Sequence, residues 1–236
     1  MPDGLICSVC DAREFNDTKV LWSELIAEWQ LTKAEVDYID RQQGCHCAAC
    51  GTNLRGNALG HAIRQAMGTN LGLQAAIQSG AFDNWRVLDL NGLPGGLSVI
   101  LQSLPHYVRR DFPEIDIHRL PFDDGSFDLV LHSDTLEHVA VPVLALQECR
   151  RVLVPGRRLC FTAPIIVGRL TRSRAGLPPS YHGLPGENAG DFIVHHEFGA
   201  DLWTIVFEAG FSDLAMSQVA YPSGIAISAW DRGVES

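Results

Sequence analysis

The stretch LPFDDGSFDLVLHSDTLEHV, Leu120 to Val139, is the one whose reading decides the fold. Asp123-Asp124-Gly125 has the composition of a tight turn. Phe127 to Leu131, apolar apart from Asp128, then reads as a buried strand of a parallel sheet. In an open α/β sheet a ligand lies beyond the carboxyl ends of the strands, so His132, Ser133 and Asp134 fall where such a ligand would sit. The sequence continues VPVLALQECRRVLVPGRRLCFTAP. It reads as an amphipathic helix, a turn at Pro155-Gly156 and a further strand from Arg158 to Thr162.

Working outward, Trp85 to Leu90 is a short apolar strand. NGLPGG and a helical pattern from Leu97 to Leu104 follow it. Strand, glycine-rich turn and helix form the opening unit of a nucleotide-binding α/β fold. His106 to Asp111 reads as the next strand, ending in an acid. Downstream, Ala200 to Gly210 is an amphipathic helix, and Leu214–Val219 and Ile225–Trp230 read as two closing strands.

Taken in this order, from about Trp85 to Trp230, the motifs resemble the class I S-adenosylmethionine-dependent methyltransferases of the methyltransferase type 11 kind. The resemblance implies a Rossmann-like α/β fold: a seven-stranded, mostly parallel sheet with helices on both faces. It implies S-adenosyl-L-methionine as cofactor. The family's turn after the first strand runs D-x-G-x-G-x-G. Here Asp89, Gly95 and Gly96 match, while Asn91 and Leu93 occupy the first two glycine positions with Gly92 between them. Asn tolerates left-handed backbone, and Leu93 is the larger departure. By the resemblance, Asp89, Asn91, Gly92, Leu93 and Gly95 form the cofactor loop. Asp111 would take the ribose hydroxyls, and Asp116 and the Ile117 amide the adenine. His132 and Ser133 would lie by the methionine part.

The segment Ile165 to Gly199 is long and carries several glycines and prolines; such loops are commonly lids or binding loops. It offers His182 in Tyr181-His182-Gly183 and His196 in His195-His196-Glu197 as candidate general bases for a hydroxyl acceptor. The alternative is that these histidines fasten the lid by hydrogen bonds to backbone. Glu137 and His138 are further catalytic candidates. Arg169, Arg172 and Arg174 lie in a stretch without acids, which suits either a solvated loop or an anionic acceptor.

Seven cysteines are present, five of them before Gly51. Cys7-x-x-Cys10 and Cys47-x-x-Cys50 are two knuckles able to close a tetrahedron of thiolates, the pattern of a structural Zn2+ site. Free thiols are the alternative, and Cys45 and His46 are competing ligands. Between the knuckles, LWSELIAEW has helical periodicity, and Thr32 with Glu35 forms a capping box that opens a second helix. The expected organisation is a zinc-ribbon-like helical module at 1–56, a linking helix at 57–84 and a methyltransferase domain at 85–236 with a lid insertion at 164–197.

The formal charge is −10, and residues 1–60 hold nine acids against five bases. A phosphate-binding face is therefore not expected. No apolar run reaches the ~18 residues of a membrane span. The start MPDGLICSVCDAR has neither a basic leader nor an apolar core, so a cytoplasmic protein is expected. The leading expectation is methyl transfer to a small-molecule acceptor. The alternatives are an rRNA or tRNA methyltransferase with a zinc module, and a scaffold that kept the fold and lost turnover. The sequence says nothing of oligomeric state.

Overall fold

The computed structural model describes residues 4–181 and 192–232. Two short strands, β1 (Phe15–Asp17) and β2 (Cys45–Cys47), pair antiparallel and bracket a helical hairpin, α1 (Ser23–Glu28) and α2 (Lys33–Gly44). The α2 capping box forms: Thr32 Oγ1 accepts from the Glu35 amide, and the Glu35 carboxylate accepts from the Thr32 amide.

α3 (Leu54–Met67) follows, capped by Asn53, whose side chain accepts from the Gly56 amide. Where one linking helix was expected at 57–84, there are two. Gly68, at φ 66°, ends α3 in the left-handed conformation that glycine permits at low cost. α4 (Leu73–Gln78) then starts afresh. α3 also does more than link. Its Leu54, Ala58, Leu59 and Ile63 share a core with Leu129 and Leu131 of the sheet, and Cys7, Val9 and Cys47 of the knuckles belong to that same core.

The main sheet is built from β3 (Val87–Leu90), β4 (Tyr107–Arg110), β5 (Phe127–Ser133), β6 (Leu153–Thr162), β10 (Asp213–Val219) and β11 (Gly224–Trp230). α5 (Gly96–Leu101) joins β3 to β4. A 3-10 turn at Leu136–His138 and α6 (Pro142–Val152) join β5 to β6. The strand order is β10-β11-β6-β5-β3-β4, with β4, β3, β5 and β6 parallel and the last two strands antiparallel. Strand periodicity divides the core. Val87, Leu129 and Leu131 face α3, α4 and α5, while Leu88, Val130 and Phe161 face α6 and α7 (Trp203–Glu208).

The sheet is Rossmann-like and mostly parallel, but it has six strands among the described residues where seven were expected. The missing strand would lie beyond β4. A parallel neighbour needs a crossover of about a dozen residues or more, and only a short turn-rich connection separates Asp111 from Leu120.

The described residues of the segment expected as a lid form a separate three-stranded sheet. β7 (Ile165–Ile166) runs parallel to β9 (His196–Gly199), and β8 (Arg172–Ser173) runs antiparallel to it.

Candidate active site and cysteine cluster

The sulfur atoms of Cys7, Cys10, Cys47 and Cys50 all lie within 4.8 Å of one another. Cys7–Cys50 and Cys10–Cys47 are each 3.6 Å apart, far too long for a disulfide bond. Thiolates at about 2.3 Å from a central Zn2+ would stand roughly 3.8 Å apart at tetrahedral corners, so the tetrad has the dimensions of such a site. The two knuckles are built alike. Asp11 N donates to Cys7 O and Gly51 N to Cys47 O, each from a residue of positive φ. The competing ligands are placed elsewhere. Cys45 is a buried thiol pushed up to about 12 by that burial, and His46 Nδ1 bonds the carbonyl of Gly44.

The second knuckle sits against the glycine turn. Gly96 N donates to Cys50 O at 2.8 Å. A Cβ on Gly95 would lie 2.7 Å from the Gly51 carbonyl carbon and the Thr52 nitrogen, and one on Gly96 would lie 2.6 Å from Cys50 Cβ. These two glycines are therefore required by packing against the cysteine module. Leu93 is buried in the core beside it. Gly92, at φ 83°, turns so that its amide reaches Asp89. Asp89 is fully buried and also accepts from Tyr107 Oη; burial pushes its carboxyl up to about 6.

A cavity of about 540 Å³ opens beyond the carboxyl ends of β3, β4 and β5. Asn91, Asp111, Asp116, Ile117, Ser133 and His138 line it. Asn91 adopts φ 68° and its side chain accepts from the Phe112 amide. Asp111 is held by Arg109 Nε at 2.9 and 3.1 Å. Asp116 Oδ1 accepts from the backbone and ring of His118, which hold it below the usual carboxylate range.

Asp89, Gly92, Leu93 and Gly95 are not among the residues lining this cavity, and His132 is not either. His132 lies at the fully covered end of β5, its ring stacked on Phe161 with centroids 4.8 Å apart, and burial pushes it down to about 3. Strand alternation explains the difference: His132 points into the layer under α6, while Ser133 emerges into the cavity.

A second cavity, of about 360 Å³, lies between the α1–α2 hairpin and the end of β6. Its walls are mostly apolar, with Leu21, Trp22, Leu25, Trp29, Ile165 and Ile166, and Gln42, Gln43 and Asn53 add polar groups. Arg55, Asp134 and Glu137 bring charge to it. Arg55 Nη2 meets Asp134 Oδ2 at 3.0 Å, and Asp134 holds a positive φ of 51°. Glu137 is 2% exposed; burial, then the neighbouring Asp134, raises its carboxyl to about 8. The two cavities share Asp134, His138 and Phe192. His138 Nδ1 donates to the Ile193 carbonyl at 2.9 Å, and burial lowers its ring from the ordinary histidine range.

The lid histidines divide. His182 lies outside the described residues. His196 lines neither large cavity; its Nε2 bonds Ala140 O at 3.2 Å, which is the fastening role. Its neighbour His195 is the one that lines the cofactor-sized cavity.

Each of the three arginines expected in the loop is paired with a carboxylate. Arg169 forks onto Glu35 and bonds the carbonyls of Trp29 and Gln30. Arg172 and Arg174 both bind Glu197, and Arg174 reaches Glu28 as well. The pairs to Glu35 and Glu28 tie this segment to the hairpin, while those to Glu197 lie within it. Asp134 stands where the sequence placed it, whereas Arg55 and His118 were missed in the sequence. Only Arg55 leaves a trace there: a cation in the first turn of a helix opposes the helix dipole.

A family model described as "Methyltransferase domain" matches residues 66–161. A demethylmenaquinone methyltransferase of Clavibacter sepedonicus is 38% identical over 94 residues, 40% of this chain and 37% of that protein. An uncharacterized 37.1 kDa protein in transposon TN4556 of Streptomyces fradiae is 53% identical over 49 residues, 21% of this chain and 14% of that protein. The chain thus spans well under half the length of either relative. Among solved structures, a methyltransferase from Thermotoga maritima aligns over 63% of this chain and 83% of its own, at 16% identity and a TM-score of 0.40. Residues 66–161, the part that holds the glycine turn and strands β3 to β6, are thus what the chain shares with methyltransferase domains.

Proposed function

We propose that the chain transfers a methyl group from S-adenosyl-L-methionine to a small-molecule acceptor seated under the hairpin. The observation that carries this reading is the meeting of the two cavities at Asp134, His138 and Phe192, just past the end of β5. One cavity has the position of a cofactor site in an α/β sheet. The other is an apolar, partly enclosed chamber of the size small ligands use.

The larger cavity's residues fit the cofactor's nucleoside end. Asp111 would receive the ribose hydroxyls, Asp116 and the Ile117 amide would serve the adenine, and Phe112 and Ile115 flank it with apolar surface. From the glycine turn, Asn91 contributes in place of glycine. When bound, the cofactor supplies an electrophilic methyl group. The chain's task is then to align an acceptor with it and exclude water. Glu137 and His138 stand at the junction of the chambers and are the candidates for proton handling. His196 is a lid-fastening residue in this reading, and His182 is retained as a sequence-based candidate. The cysteine tetrad would hold a Zn2+. Four thiolates close its coordination, which makes its role structural.

Calorimetry with S-adenosylhomocysteine tests the reading. Binding in the micromolar range is expected, and the change Asp111→Asn should weaken it about tenfold. No binding at about millimolar concentration would refute it. The scaffold reading draws on Asp89 being engaged by Tyr107 and on Gly95 and Gly96 being packed on the knuckle; it expects that negative result. For an RNA acceptor the lid arginines offer little, since each is paired with a carboxylate.

A further inference from the structure

Arg55 and Glu137 are the two most deeply buried charged side chains along the hairpin chamber, each 2% exposed. Both are incompletely bonded. Arg55 Nε and Nη1 and Glu137 Oε2 are buried and have no hydrogen-bond partner among the described residues. Folded proteins leave few such atoms unmatched, and a guanidinium edge shut away from water is among the costlier ones. The chain places two unanswered guanidinium nitrogens, bearing three N–H bonds, beside a chamber walled by two tryptophans and several aliphatic side chains.

A guanidinium can only donate. Whatever completes it must therefore supply an acceptor oxygen. A group that offers only N–H donors, such as an ammonium, would add a second cation beside the first. Asp134 does not change this: it already holds Nη2 and sits at the boundary with the larger cavity. The walls select independently. Trp22, Leu25, Trp29 and Leu31 come from the hairpin and Ile165 and Ile166 from the 165–199 segment, so apolar surface dominates; of the amides in the lining, Gln42 is bonded to Ile165 O and Asn53 caps α3, and Gln43 adds a further polar group.

We infer that the hairpin chamber binds a ring-sized apolar molecule carrying a carboxylate or a comparable oxygen anion, anchored by Arg55 with Glu137 beside it. This rests on reading the chamber as the acceptor site, and it narrows the acceptor to aromatic or alicyclic acids. The N-terminal hairpin is then the specificity element, and Arg55, held just after the second cysteine knuckle at the start of α3, ties acceptor binding to that module.

The test uses the full chain and three fused-ring probes of one shape: 2-naphthoate, 2-naphthol and 2-naphthylamine. Binding is followed by calorimetry and ligand-observed NMR. 2-Naphthoate is expected to bind at least about tenfold more tightly than 2-naphthylamine, and Arg55→Gln should abolish that preference. Because Arg55→Gln also breaks the pair with Asp134, Leu21→Trp serves as a second variant. It fills the chamber while leaving Arg55 intact, and should weaken all three probes about tenfold or more with the melting temperature little changed. Equal or tighter binding of the amine, or unaltered binding in Leu21→Trp, would overturn the inference. Cofactor binding separates the two levels. If S-adenosylhomocysteine binds and no probe does, this inference falls alone. If 2-naphthoate binds with its preference and S-adenosylhomocysteine does not, the methyltransferase reading falls and the binding site stands.

Discussion

Replacing Gly95 by alanine asks why the glycine turn kept that residue. The new Cβ would lie 2.7 Å from Gly51 C and Thr52 N and 2.8 Å from Gly51 O. All three are backbone atoms, so no side chain can rotate away. Overpacking of this kind costs about 1–3 kcal/mol. Gly95 also has φ 56° and ψ −137°, a region alanine avoids at a further cost of about 1–3 kcal/mol. The combined loss of about 2–6 kcal/mol should lower the melting temperature of a chain this size by roughly 5–20 °C. Thermal unfolding without cofactor, followed by circular dichroism, measures it. Gly168→Ala is the control, because its Cβ would meet nothing within 4 Å; a change within about 0.5 kcal/mol is expected. If Gly95 served mainly to admit the cofactor, Gly95→Ala would melt with the control and lose only S-adenosylhomocysteine affinity. That outcome would refute the packing argument.

Three further outcomes are expected. Arg169 holds the Glu35 carboxyl at about 2, below its ordinary 4.5. The pair's stabilisation is thus complete above pH 4.5 and lost as pH falls toward 2. Arg169→Met should cost about 1–3 kcal/mol at neutral pH, and chemical denaturation should show its stability changing less than wild type across that window. Glu137 is the opposite case. Its carboxyl is raised from 4.5 to about 8, so the folded state is favoured with the proton bound, and the penalty grows as pH rises from 4.5 to 8. Glu137→Gln should therefore gain melting temperature relative to wild type at pH 8.5 compared with pH 5; an equal difference at both would contradict it. Finally, stripping metal with a chelator should lower the melting temperature and release about one Zn2+ per chain, measured by elemental analysis. Cys47→Ser should do the same without chelator.

Much of the architecture was legible in the chain. Mostly apolar runs at Val87–Leu90 and Phe127–Leu131, each broken by a single Asp, mark strands covered on both faces, and the capping box at Thr32 and Glu35 marks the start of α2, because these signals arise from local chemistry. The cysteine pairing was legible for a related reason: a CxxC turn orients two sulfurs by itself, and only the meeting of the two turns is tertiary. Asp111, Asp116 and Ser133 could be placed at the cavity because they sit at or just past strand ends.

Side-chain direction and long-range pairing decided the rest. Whether His132 or Ser133 enters the cavity turns on a one-residue alternation that the apolar run does not reveal. Arg169, Arg172 and Arg174 looked free because Glu35, Glu28 and Glu197 are distant in sequence, and folding brings them within bonding distance. The glycine turn shows the division most sharply. The sequence by itself determined where the turn falls and that Gly95 and Gly96 lie within it. Only the tertiary structure decided what those glycines serve, because their missing side chains leave room for the cysteine knuckle, which precedes them by more than forty residues in the chain.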